Sequence, residues 1–306
     1  MSPHATPIRK DRIDATGAAL LIFVSALFGI NQVLVKLVNA GMNPVFQAGL
    51  RSAVAILPVL AWALLRRRRL SVTDGSLVPG ILCGFFFAFE FYMLFRALEY
   101  TTVGHSSVMF YTMPVWLALF AHFLIPGERM TRRRAGGLAL AVLGIVIALL
   151  RRGGDAGSMA IWGDLMALVA TLGWTAIALT ARLSKLSRAT PEMQLLYQVT
   201  VSAPILLALS ALYGAPFREM TPALWGIFSF QVLGIVTFAF ILWFWILKVY
   251  PASDMASFAF LTPLFGVFFG WAFLGEQLTL NVLIALVLVA IGIWLVNSRP
   301  RPRAKA

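Results

Sequence analysis

Apolar stretches of about 20 residues recur along almost the whole chain, separated by short polar connections. That length is what a helix rising about 1.5 Å per residue needs to cross about 30 Å of hydrocarbon. Ten such windows can be read: Ala15 to Leu37, Val45 to Leu65, Leu77 to Ala97, Val103 to Ile125, Gly136 to Leu150, Gly163 to Leu183, Met193 to Tyr213, Leu224 to Leu247, Ala252 to Leu274 and Val282 to Val296. The short alternating segments of a strand-built barrel are absent. The pattern predicts an all-α integral membrane protein whose helices satisfy their own backbone groups. Composition agrees: 60% of the 306 residues are hydrophobic and 12% charged, with a mean hydropathy of +0.86, outside the range of soluble globular domains.

The first residues, MSPHATPIRKDRID, are polar and lead straight into a long span with no small-residue cleavage site, so no removable signal peptide is expected. The single cysteine, Cys83, excludes an internal disulfide and a cysteine metal cluster, and reads as a small packed residue. The net charge of +13 matters through its placement. Basic residues crowd at Arg9, Lys10 and Arg12; Arg66 to Arg69; Arg129 with Arg132 to Arg134; Arg182, Lys185 and Arg188; Lys248; and Arg299, Arg301, Arg303 and Lys305. The other connections hold Arg151, Arg152 and Arg218, with Lys36 and Arg96 near helix ends. By the positive-inside rule both termini are cytoplasmic, in a bacterial-type inner (plasma) membrane, and anionic lipid is the partner of the basic loops. A nucleic-acid partner is not expected, since no soluble module carries the charge.

The chain repeats itself. Glu128, Thr131 and Gly144 recur as Glu276, Thr279 and Gly292 at a shift of 148; Gly84 and Tyr100 recur as Gly234 and Tyr250 at 150; Gly17, Phe28, Lys36 and Pro58 recur as Gly163, Trp174, Arg182 and Pro204 at 146. The expected organisation is a cytoplasmic tail (1–14), a first five-helix repeat (15–152), a second (157–297) and a basic cytoplasmic tail (298–306). Five is odd, so the second unit enters the membrane from the opposite side. The loop at Glu128 is rich in arginine and that at Glu276 has none, as inversion requires. Ten helices as two inverted repeats around a central cavity have two exchangeable arrangements, which is the basis of alternating access.

Paired units that each close with Pro114 or Pro263, then GERMT or GEQLT, then a glycine-bearing last helix, resemble EamA-type members of the drug/metabolite transporter superfamily. FGINQVLVK (Phe28 to Lys36) is similar to the signature that opens these proteins, Arg51 fits the second span, and ALEYTTVGHSSVMFYTMP (Ala97 to Pro114) fits the link of the third and fourth. This chain departs from the pattern at Ile177, where the second copy lacks the asparagine, and at Phe28, where tryptophan is usual. The resemblance covers essentially the whole chain. It implies a cavity lined mainly by spans 1, 3, 4, 6, 8 and 9, and relatives that move amino acids, other small metabolites and some drugs, often outward.

Glu90 is the costliest placement, because a charge near the bilayer centre costs about 2.5 kcal/mol on insertion scales and more in simulation. The small-residue ridge Gly80, Gly84 and Ala88 occupies one side of its helix, and Glu90 points away from it. Three readings stay open: an ion pair with Arg51, a proton-coupling or substrate-contacting acid in the cavity, or a neutral acid hydrogen-bonded inside the protein. Asn31 and Gln32 either bridge helices or bind a ligand's polar groups. Trp174, the counterpart of Phe28, and Tyr111 either flank a substrate site or are core aromatics. Pro114 and Pro263 are hinges or static kinks. Glu128 and Glu276 read as helix caps or loop braces, and Lys36 can snorkel to water. His105 and His122 are too far apart for a metal pair; no metal and no cofactor is expected.

Together these predict a secondary transporter of small organic metabolites, with amino acids or related amphipathic compounds the leading class and export the expected direction. No Walker motif is present, so the energy comes from a proton gradient or the substrate's own gradient. An enzyme is not expected, for no convergent catalytic constellation is found. The rivals are a translocator of organic cations, drugs, nucleotides or nucleotide sugars on the same scaffold, and a membrane sensor that binds without transporting.

Overall fold

The structure, a computed structural model, describes residues 10, 13–126, 128, 130–150, 159–250, 258 and 260–297. Within them every apolar window is helical. α1 (Ala15–Val38) starts at Asp14, whose Oδ1 accepts from the Gly17 amide at 2.8 Å, one of the donors a helix start leaves unpaired. α2 (Pro44–Leu65) is capped by Asn43, with Pro44 in the first turn, where its missing N–H costs nothing. α3 (Leu77–Tyr100) follows. The fourth span is broken into α4 (Val103–Phe110) and α5 (Met113–Leu124), because Pro114 offers no amide to the Phe110 carbonyl. Thr112 Oγ1 takes up the Met109 carbonyl at the break, at 2.6 Å.

α6 (Arg132–Leu150), α7 (Ala160–Leu183) and α8 (Pro191–Ser210) come next. The eighth span runs from α9 (Pro222–Phe230) through a π-helical stretch, Gln231–Ala239, into α10 (Phe240–Val249). α11 (Leu261–Leu274) ends where Gly275 takes a left-handed φ of 66°, and α12 (Leu280–Asn297) completes the bundle. Among the described residues nine spans are long and apolar enough to cross a membrane. In the ninth window, expected from Ala252, the helix described is the shorter α11; residues 251–257 and 259 lie outside the described set, as do Arg129, Arg151, Arg152 and most of both tails.

Apolar side chains face outward as well as inward, with Leu57 70% and Phe123 73% exposed, as a lipid-facing surface allows. Small residues decide which helices touch. The expected ridge on α3 is its contact with α8, where Gly80 meets Tyr197 and Gly84 meets Val201. Another side of α3 carries Glu90 onto α7, at Gly173. α6 and α12 cross so closely that a methyl added at Gly137 would sit 2.7 Å from the Gly292 carbonyl, and one at Gly292 would sit 2.6 Å from that of Gly137.

Lys10 and Asp14, just before α1, are held in place. The Lys10 amide donates to the Val249 carbonyl at 2.8 Å, Lys10 pairs with Asp14, and Tyr250 Oη donates to Asp14 at 2.8 Å. The bond from Lys10, then that from the Gly17 amide, hold the Asp14 carboxyl below the usual carboxylate range. A depressed folded value stabilises above the unfolded carboxylate's pKa, and the contribution is lost as pH falls through the folded one.

Candidate functional site

The polar groups between the helices fall into three sets. At the centre, Trp174 of α7 stacks on Phe110 with ring centroids 5.1 Å apart and meets Tyr111 edge-on at 6.0 Å. Tyr111 Oη donates to the Phe28 carbonyl of α1 at 2.9 Å. The break before Pro114 places Tyr111 at this junction, as the last residue on the α4 side. Tyr111 thus joins the Phe28 backbone to the Trp174 ring, while the Phe28 ring itself packs on Phe240 and Trp243. Gln32 Oε1 accepts from Ser107 Oγ at 3.3 Å, while Gln32 Nε2 and Asn31 Oδ1 are buried with no hydrogen-bond partner among the described residues.

The second set lies in α2, α3 and the π-helical stretch. Arg51 is 1% exposed, and its guanidinium carbon lies 4.3 Å from the Phe91 ring centroid and 4.6 Å from that of Phe95. Nε, Nη1 and Nη2 have no hydrogen-bond partner among the described residues. Glu90, also buried, lies within electrostatic reach of Arg51, but among the described residues no ion pair joins them. One turn before Arg51, Gln47 Nε2 donates to Gln231 Oε1 at 3.3 Å, with both side chains fully buried.

The third set closes one end of the bundle. Lys36 Nζ donates to the Thr101 carbonyl at 2.6 Å and pairs with Glu276 Oε1 at 3.3 Å, so Lys36 is bonded inside the protein as well as lying near a helix end. Glu276 accepts from the amides of Val103 (2.7 Å) and Gly104 (3.0 Å), capping α4, where the helix dipole favours a negative charge. Asp164, fully buried at the start of α7, bonds Thr101 Oγ1 and lies 3.0 Å from His105 Nδ1. At the far end of α7, Arg182 pairs with Glu128. Pro263 lies in the first turn of α11. Among the described residues no cluster of three or more His, Cys, Asp or Glu side chains has the arrangement of a metal site.

Sequence reasoning passed over Asp164, Gln47 and Gln231. Asp164 carried a usable signal, an acid inside an apolar window. Gln47 and Gln231 carried a weaker one, since amides are common at helix contacts in membranes. Removing the Asp164 carboxylate takes one hydrogen-bond partner from the Thr101 hydroxyl and one from the His105 ring, a cost of about 1–3 kcal/mol. Asp164→Ala is therefore expected to lower the thermal unfolding midpoint of the purified protein, and a midpoint equal to wild type would deny this acid a structural role.

This is a helical integral membrane protein whose buried polar groups sit between spans. The sequence pattern of the EamA-like transporter family matches residues 15–150 and again residues 161–298, and the chain belongs to that family. An uncharacterized transporter of Bacillus subtilis (strain 168), YoaV, is 26% identical over 278 residues, covering 90% of this chain and 94% of that protein. A probable amino-acid metabolite efflux pump of Salmonella typhimurium is 25% identical over 294 residues, covering 90% and 93%. An S-adenosylmethionine/S-adenosylhomocysteine transporter of Chlamydia muridarum is 25% identical over 304 residues, covering 91% of each. A protein of known crystal structure shares the fold at a TM-score of 0.65 and 20% identity, over 91% of this chain and 96% of its own.

Proposed function

We propose that the chain is a secondary transporter that moves small organic metabolites, amino acids or related amphipathic compounds first among them, across the inner membrane by alternating access, in the outward direction. Its ten spans form two inverted five-helix repeats, residues 15–152 and 157–297, with both termini cytoplasmic. One observation carries this reading. The pairs Lys36–Glu276 and Arg182–Glu128 lie at opposite ends of the bundle, and the shifts that relate the two halves carry each pair onto the other. Two copies of one unit, threaded oppositely, therefore place the same latch at each face, and transport requires that one open while the other holds. The contact of α6 with α12 obeys the same symmetry: the 148-residue shift carries Gly144 onto Gly292 and Gly137 onto Ala285, and Gly144 packs on Ala285 as Gly292 packs on Gly137.

In this reading Asn31, Gln32, Tyr111 and Trp174 line the substrate site, Glu90 couples transport to protons, and Pro114 and Pro263 are the hinges. The aromatic centre suits a ligand with an apolar body, and the few unpaired polar atoms suit its head. The Salmonella efflux pump supports an amino-acid class, and the Chlamydia transporter extends it to an adenosyl amino acid, whose base would stack beside Trp174.

Counterflow of labelled amino acids into vesicles reconstituted with the protein tests the transport claim, and its absence for every organic solute tried would end it in favour of a sensor. Glu90→Gln is expected to abolish the dependence of flux on an imposed pH gradient. Unchanged pH dependence would exclude Glu90 from coupling.

A further inference from the structure

Arg51 is a buried cation that forms no ion pair among the described residues. Burying a charge with no partner is costly, and stacking on aromatic rings offsets only a small part of that cost. Its three nitrogens have no acceptor among the described residues, although it is the largest fully buried side chain described. A second shortage lies one helical turn away. Gln47 and Gln231 make one hydrogen bond to each other, which leaves Gln47 Oε1 and Gln231 Nε2 unpaired. Turning both amides round would still leave one donor and one acceptor free. Gln231 also opens the π-helical stretch Gln231–Ala239, and wide turns of this kind recur at functional sites.

The free groups have one chemistry in common. A guanidinium that faces no acceptor takes a planar oxyanion through two parallel hydrogen bonds, which is the geometry of a carboxylate. On the other side stands Glu90, a buried acid that bonds to no described residue yet lies in electrostatic reach of Arg51. A buried cation on α2 and a buried acid on α3, joined by no ion pair among the described residues, match the two poles of a zwitterion.

We propose that Arg51, with the free amide atoms of Gln47 and Gln231, is the receptor for the carboxylate of an α-amino acid, whose ammonium group faces Glu90. This rests on the transport reading above and gives it a head-group requirement. The apolar body of the substrate then extends toward the Phe110, Tyr111 and Trp174 rings.

The test uses the full-length protein in liposomes, with labelled leucine, methionine, phenylalanine and tryptophan as probes. The same four compounds as amides, and as their decarboxylated amines, are the competitors. Losing hydrogen bonds to a charged group weakens binding by about 10- to 100-fold, so amides and amines should compete that much less well than the acids. Arg51→Gln should remove the preference for acids over amides, and Gln231→Leu should reduce it. The proposal is overturned if amides and amines compete as well as acids in the wild-type protein, a comparison that holds even where a variant fails to fold. It is equally overturned if both variants fold and keep the preference. Counterflow of the amines without the acids would leave transport standing and remove the receptor; counterflow of no organic solute would remove the transport reading itself.

Discussion

Glu276→Gln is expected to open one end of the bundle. The carboxylate there does two jobs at once, pairing with Lys36 at 3.3 Å and accepting from the Val103 and Gly104 amides at the start of α4. A charge at a helix N-terminus contributes about 0.3–1 kcal/mol at the surface and up to about 2 in partly buried geometry. The Glu276 side chain is only 10% exposed, which places it toward the upper end. Losing about 1–2 kcal/mol from the closed arrangement raises the open population roughly 5- to 30-fold.

A cysteine at Gln32, one turn below Lys36 on α1, reads this out by its labelling with an impermeant thiol reagent added on the side where Lys36 and Glu276 lie. The native Cys83 is buried, so it adds little background. Labelling that does not rise in the Glu276→Gln background would reject the latch. Arg182→Gln should act on the opposite face and act less, because that pair is 44% and 30% exposed and solvent screens it.

The second strong expectation concerns two adjacent glycines with opposite outcomes. At Gly137 a Cβ would come 2.7 Å from the Gly292 carbonyl and 2.9 Å from Leu295 Cβ, whereas at Gly136 nothing lies within 4 Å. The first obstacle is backbone, which cannot rotate aside, so Gly137→Val must push α6 away from α12. Overpacking of this kind costs about 1–3 kcal/mol, toward the upper end where no flexible side chain can yield. The melting midpoint should fall by several degrees, about 2–4 °C per kcal/mol in a chain of this size class, with loss of monodispersity. Gly136→Val should leave both unchanged. Equal behaviour of the two variants would show that α6 and α12 do not cross at Gly137.

Much of this architecture can be read along the chain. Hydrocarbon offers no partner to a backbone N–H or C=O, so each apolar window has to be a helix wherever it sits. The helix starts at Asp14, Asn43 and Thr102 follow from side-chain oxygens that accept the unpaired first amides, and the break in the fourth span follows from Pro114. The repeat is likewise visible in the residues themselves, and with it the correspondence of Lys36 to Arg182 and of Glu276 to Glu128. The role expected for Glu276 as a cap is what the α4 amides display.

Which polar groups meet was a different matter. Gln47 and Gln231 lie 184 positions apart, and Asp164 and His105 lie 59 apart. Nothing in either local stretch says which face of its helix turns toward the other. For Glu90, helical periodicity gave the side away from the Gly80 and Gly84 ridge, but not that α7 would press Gly173 against it, nor that Arg51 would stack on Phe91 and Phe95 instead of bonding to the acid. The membrane dictates helices one at a time, from residues next to each other. Their rotation and depth answer to close packing against partners far away in the chain, and that choice sets which charges are left without company.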